Sequence, residues 1–168
     1  GGEVYVVAEK LLSKLILEWG IKKYEVLGNC TGRDLEEVIC KHPFIDRDSR
    51  IVLGEHVTLE QGTGCVHTAP GHGQEDYVVG QKYGLKTYNP VDDGGVFKSD
   101  VAEFGGIFVR KADSLIVEKL RTDGYLVHDD KITHSYPHCW RCRQPIIFRA
   151  TSQWFISMDA NGLREKAL

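Results

Sequence analysis

The sequence predicts an α+β fold, a twisted β-barrel with helices packed on its outside. Three observations carry that expectation. Short runs of β-branched and aromatic residues recur between turn signals, three segments repeat apolar residues at helical spacing, and Gly or Asn closes most of them.

Taken in order, Val4–Val7 reads as a strand. Ala8, Leu11, Leu12, Leu15, Ile16 and Trp19 then form one helical stripe, and Gly20 sits where a left-handed C-cap belongs. Tyr24–Leu27 is expected as a strand, followed by the Gly28–Gly32 turn region. Val38–Cys40 and Ile51–Leu53 are expected strands separated by Pro43 and the charged turn Asp46–Arg50. Cys65–Thr68 is a strand that runs into a loop with glycines at 62, 64, 71 and 73 around it. Gln74–Tyr83 has a helical pattern with Gly84 as its stop, and Asn89–Gly95 is a turn cluster. Val109–Thr122 is a second amphipathic helix, with Val109, Ala112, Ile116 and Leu120 on one face and Gly124 beyond its end. Tyr125–His128, Ile132–Tyr136 and Ile146–Ala150 complete the expected strands. The character changes near Ile132. Beyond it come Tyr136, Trp140, Phe148, Trp154 and Phe155, a Cys pair, and Arg141, Arg143 and Arg149, as expected of a segment that docks on something else.

With 168 residues the chain can hold a core of one or two domains, and 42% hydrophobic residues describe an ordinary globular composition. No apolar run is long enough to cross a bilayer, and no basic flank followed by an apolar stretch marks a signal peptide. Gly1-Gly2 reads as a cloning remnant or as a cut inside a longer chain. A net charge of -3 is not the basic footprint of a self-sufficient nucleic-acid binder. If RNA is the substrate, phosphate-binding charge lies elsewhere or in patches such as Arg141, Arg143 and Arg149. Five cysteines at irregular spacing argue against a secreted disulfide framework and for reduced thiols in a cytosol.

The richest chemistry lies in His67-Thr68-Ala69-Pro70-Gly71-His72-Gly73-Gln74-Glu75-Asp76. Its glycines let a ligand approach the backbone, and the helix start after Gly73 presents free N–H groups. His67 and Asp76 bracket the loop, so the fold could bring an imidazole and a carboxylate to one rim. The same residues also fit a plain tight connection. Asp76 would then be a first-turn acid favoured by the helix dipole, and His67 a half-buried strand residue. The glycine pattern matches neither a dinucleotide-binding turn nor a P-loop, since no Lys-Ser/Thr follows.

The run GTGCVHTAPGHGQEDY with VVGQKYGL resembles the editing-site signature of bacterial-type isoleucyl-tRNA synthetases. HSYPHCWRCRQPIIFRATSQWFISMD is similar to the stretch where that family's editing domain returns to its catalytic core. TGRDLEEVICKHPF and GEHVTLEQGTG resemble intervening blocks, so the likeness covers the chain from Tyr5 to about Leu168. It implies the editing-domain fold common to valyl, isoleucyl and leucyl enzymes. Residues 3–132 would be part of the editing domain, and 133–168 the return segment toward the core.

By the resemblance, Asp76 matches the aspartate that holds the α-ammonium of the mischarged amino acid, and a charge-assisted bond is the strongest single handle on that group. His67 matches the family's editing histidine, near the aminoacyl ester and terminal ribose. The two are the implied catalytic residues. Thr68, Gly71, His72 and Gly73, with Asp76, would shape the substrate pocket. The family's Thr-rich pocket wall, near TTPWTLP, has no counterpart in this chain.

The implied activity is hydrolysis of valyl-tRNA(Ile) at the 3′ end, post-transfer, with pre-transfer editing also open. A non-catalytic fragment that contacts tRNA or the synthetase core is the alternative. One methylene separates the two amino acids and yields only about 1–3 kcal/mol in an apolar pocket, a magnitude known from isoleucine against valine themselves, so a second sieve is needed. Water is the nucleophile, with no cofactor for editing; ATP and Mg belong to the full-length ligase. Zinc at Cys139 and Cys142 stays open through His134 or His138 but is not the favoured reading, because structural zinc takes four ligands. Expected partners are the tRNA(Ile) 3′ end and the rest of the synthetase, with no membrane and no DNA, in the cytoplasm.

Overall fold

Leu11 and Leu15 are spaced to lie one above the other on a helix, and they are the two residues of the first stripe that become buried. The computed structural model describes residues 2–168; Gly1, half of the Gly-Gly start, lies outside the described residues. A 3₁₀ turn at Glu9–Leu11 leads into α1 (Leu12–Glu18). The helix ends with Gly20 at φ 66°, where the Ile21 N–H donates to the Ile16 carbonyl at 3.0 Å, closing the C-terminal turn as the sequence predicts. α2 (Gln74–Lys82) and α3 (Val109–Thr122) also stand where periodicity placed them, with Gly84 and Gly124 at positive φ just beyond. A fourth helix, α4 (Leu163–Ala167), was not expected. It is only five residues long, too short for a periodic signal.

The β content departs from the expectation. Among the described residues the only ladder joins β1 (Ile39–Lys41) to an antiparallel β2 (Asp48–Arg50), with Ile39 opposite Arg50 and Lys41 opposite Asp48. The last three residues of the expected charged turn are therefore strand. The reversal is tighter and lies at Pro43–Asp46, where His42 Nδ1 accepts the Phe44 and Ile45 N–H groups. Val38 and Ile51 extend the ribbon through an Ile51 N–H bond to the Val38 carbonyl at 2.9 Å. Isolated bridges join Val91 to Phe97, Val96 to Phe108 and His138 to Pro145. The runs at Val4–Val7, Tyr24–Leu27, Cys65–Thr68, Tyr125–His128, Ile132–Tyr136 and Ile146–Ala150 have no ladder. No barrel closes among the described residues. An apolar alternating run becomes a strand only when a neighbouring strand takes up its N–H and C=O groups in succession; Ile146–Ala150 has single bonds, as from the Ala150 N–H to the Gly71 carbonyl, but no such succession.

The buried apolar set is small: Leu11, Leu15, Val79, Val91, Phe104 and Ala112. The accessible surface is 13858 Å², whereas a chain of 18.9 kDa folded on its own would expose roughly 8,300 Å². Phe104 packs edge-on against Phe44 at 6.0 Å and lies 6.3 Å from Phe97, tying the hairpin to the segment before α3. Within this thin core the two leucine faces of α1 should differ sharply. Leu15→Ala is expected to cost on the order of 2–5 kcal/mol in chemical unfolding, and Leu17→Ala, on the exposed face, less than about 0.5 kcal/mol.

Candidate functional site

The Gly-rich loop is held from three directions before it reaches α2. The His72 N–H donates to the Ala69 carbonyl at 2.8 Å, turning the chain, and the Tyr77 N–H donates to the Gly73 carbonyl at 2.9 Å, opening the helix. Gly71 is buried with its α-carbon against the Tyr88 carbonyl, where a Cβ would collide with backbone. Its own carbonyl accepts the Ala150 N–H at 2.8 Å. At the other end of α2, the Tyr83 hydroxyl donates to Glu36 at 2.6 Å and accepts the Leu53 N–H at 3.3 Å, and its carbonyl accepts Arg50. The helix start is thereby fixed relative to the ribbon.

Asp76 is the third residue of α2, where negative charge is favoured by the helix dipole. It does more than cap. Oδ2 folds back over the loop and accepts the Ala69 N–H at 3.2 Å, while Oδ1 faces His56 Nε2 at 3.8 Å. Gly73 makes room for this posture, since a Cβ there would stand 2.6 Å from Oδ2. A groove of about 530 Å³ opens beside the helix, lined by Leu53, Glu55, His56, Gln74, Glu75 and Lys82 among others. His56 is common to the groove and to Asp76; neither Asp76 nor His67 lines the groove itself.

His67 stands apart from that carboxylate contact. It is exposed, and near enough to His42 that its charge opposes protonation there. Burial first, then Arg47, then His67 hold the His42 imidazole below its ordinary pKa. Thr68 and Gly73 are half-buried beside the loop turn. His72 has its Nδ1 3.0 Å from the Phe148 carbonyl, so it ties the loop to the later segment. That tie is one of several. Asn89 donates to the Ala150 carbonyl at 2.9 Å, and Arg149 reaches the Val91 carbonyl at 3.1 Å and Asp93 at 3.0 Å. Sequence reasoning missed His56 altogether. Its only signal was its place in the GEHVTLEQGTG block, since a lone His between Glu and Val carries no pattern.

The Cys139–Cys142 pair forms a turn in which the Arg143 N–H donates to the Cys139 carbonyl at 2.9 Å. Backbone N–H groups of Cys142 and Arg141, then the Cys142 thiol, hold the Cys139 thiol below its ordinary pKa. Among the described residues no group of three or more His, Cys, Asp or Glu is arranged to hold a metal ion. The zinc considered from the sequence would need two ligands besides these thiols, and the Nδ1 atoms of His134 and His138 lie instead against the Ser135 and Tyr136 carbonyls.

Residues 21–117 match the family model described as leucyl-tRNA synthetase, editing domain, more than half of the chain. The chain belongs to this editing-domain family. The matched span contains the loop, Asp76, His67 and His56. Similar proteins include the isoleucine–tRNA ligases of Syntrophotalea carbinolica, 56% identical over the whole chain, and of Desulfovibrio desulfuricans, 54% identical over 99% of it. That of Kosmotoga olearia is 51% identical over 99% of the chain. In each case the chain spans 18% of the relative's length. His67 in the Gly-rich loop and His42 in the 42–47 hairpin are coupled through charge. A ring-proton NMR titration should place the His42 midpoint below about 6.5, and His67→Ala should move it upward by removing a repelling charge. No movement would separate the two loops.

Proposed function

We propose that this chain is the hydrolytic editing module of an isoleucine–tRNA ligase, clearing valine from tRNA(Ile) after transfer. The observation that carries the reading is the posture of Asp76. One carboxylate oxygen is fixed by the Ala69 amide, where the Gly-rich loop enters the first turn of α2, and Gly73 leaves the carboxylate the room to fold back. A carboxylate held in this way suits the α-ammonium of an aminoacyl ester, because a charge-assisted bond from a fixed acceptor costs little ordering. The family match and the names of the relatives support the same assignment.

In this reading the tRNA 3′ end lies along the loop. Thr68, Gly71, His72 and Gly73 build its wall, and His67 stands at the ester and ribose from the exposed side. Water attacks the ester carbonyl, the ester bond breaks, and valine leaves as the free acid with the ribose hydroxyl restored. No metal or cofactor is needed for that step; ATP and Mg serve the ligase reaction elsewhere in the parent chain. Residues 3–132 act as the editing body and 133–168 as the segment returning to the synthetase core. The unpaired extended runs are barrel strands that close against further synthetase chain, a reading supported by the 13858 Å² of exposed surface. No helix among the described residues is long and apolar enough to cross a membrane, which is compatible with a cytoplasmic enzyme.

The test uses the full-length ligase. Asp76→Ala is expected to slow deacylation of valyl-tRNA(Ile) by about ten- to hundredfold, the worth of one hydrogen bond to a charged group. Isoleucine activation should stay near normal. Equal loss of both activities would rule out a separate editing centre, and unchanged deacylation would leave a fragment that only contacts tRNA or the core.

A further inference from the structure

From the placement of His56 we infer that it is a positioning residue for Asp76, holding the carboxylate oxygen that the loop backbone does not hold. The inference rests on the editing reading of Asp76 and extends it to a residue in a different segment of the chain. Oδ2 has a partner in the Ala69 N–H. Oδ1 has one neighbour of opposite character, His56 Nε2 at 3.8 Å, with both side chains largely shielded at 17% and 22% exposure. That separation is too long for a hydrogen bond and within ion-pair range. Contacts of this kind are commonly loose without substrate and tighten when it binds.

Three further observations indicate that the contact is built. His56 Nε2 is buried and has no hydrogen-bond partner, and Asp76 is the carboxylate within ion-pair distance of it. Gly54 clears the space the ring occupies, since a Cβ there would stand 2.7 Å from Cε1 and 3.0 Å from Nδ1. Gly73 does the same for the carboxylate, where a Cβ would stand 2.6 Å from Oδ2 and 3.0 Å from Cγ. A bare backbone position on each side lets ring and carboxylate face each other. The Val57 N–H bond to the Gly54 carbonyl at 3.3 Å turns the chain so that the ring points back to α2.

The consequence concerns binding before it concerns chemistry. A carboxylate fixed through both oxygens offers the ammonium one defined lone-pair direction. One fixed through Oδ2 alone can swing, and the bound amino acid swings with it. The ammonium contact is made equally in the bound and the reacting states, so loosening it raises KM and leaves kcat little changed.

The test follows deacylation of valyl-tRNA(Ile) by the full-length ligase carrying His56→Phe, His56→Gln, Asp76→Ala and the double variant Asp76→Ala/His56→Phe. His56→Phe keeps a ring in the space and removes the donor; His56→Gln restores an N–H. The expected result is a rise in KM of about three- to tenfold for His56→Phe, with kcat near wild type. His56→Gln should recover most of it, and His56→Phe should add nothing in the Asp76→Ala background. Thermal unfolding of each variant checks that the fold is kept. A His56→Phe loss that persists undiminished in the Asp76→Ala background, or that His56→Gln fails to recover, overturns the positioning role and leaves His56 a packing residue. Asp76→Ala impaired with His56→Phe indistinguishable from wild type overturns this inference alone. Asp76→Ala without effect overturns both it and the editing reading.

Discussion

One carboxylate folded back over the loop that precedes it is the contact on which the rest of the site depends. By accepting the Ala69 N–H, Asp76 closes the Gly-rich loop onto the first turn of α2 and settles which way the loop faces. That bond requires a bare Gly73, and it requires α2 to start where it does. The start is in turn fixed from the far end of the helix, where Tyr83 engages Glu36, Leu53 and Arg50. In mid-helix, Gly80 has Pro70 packed against it, and a Cβ there would stand 2.8 Å from the proline ring. The loop is thus held without being helix or strand, through local bonds at Ala69, His72 and Gly73 and one distant bond from the Ala150 N–H to the Gly71 carbonyl.

The helices were legible because their signals are local. An apolar stripe and a following glycine are properties of a dozen consecutive residues, and α1, α2 and α3 all end at a glycine with positive φ. The strands were not, because pairing belongs to two segments at once. Tyr24–Leu27 has the composition of a strand and nothing beside it, whereas Asp48–Arg50 has the composition of a turn and is paired. The hairpin loop explains the second case: His42 accepts two N–H groups through Nδ1, so the reversal finishes early and the charged residues fall into register with Ile39–Lys41.

The candidate site divides along the same line. Glycines at 71 and 73 and an acid at the third helical position can be read from adjacent residues, and the structure gives each a steric or hydrogen-bonding reason. What adjacency cannot give is the company each keeps. His67 and Asp76 bracket the loop in sequence, yet the imidazole facing Asp76 comes from position 56, and His67 acts through its charge on His42. His72, which looks like part of the same cluster, ties the loop to the Phe148 carbonyl. Three histidines near one loop have three different surroundings, and only the fold tells them apart.

A carboxylate gripping an α-ammonium cannot by itself separate valine from isoleucine, since both amino acids present the same ammonium. In the editing reading, Asp76 therefore supplies affinity and orientation, and rejection of the larger side chain must come from a surface that meets the branched carbon. The Gly-rich loop is poorly suited to that task. Gly71 is buried against the Tyr88 carbonyl, and Gly73 has its space taken by the Asp76 carboxylate, so neither offers an apolar face. Discrimination by size needs a rigid wall placed opposite the grip, because a mobile wall would yield to one more carbon at less than the 1–3 kcal/mol, roughly, that a methylene commands. A second fixed point on the carboxylate matters for the same reason. A wall measures length only when the other end of the ligand is held still.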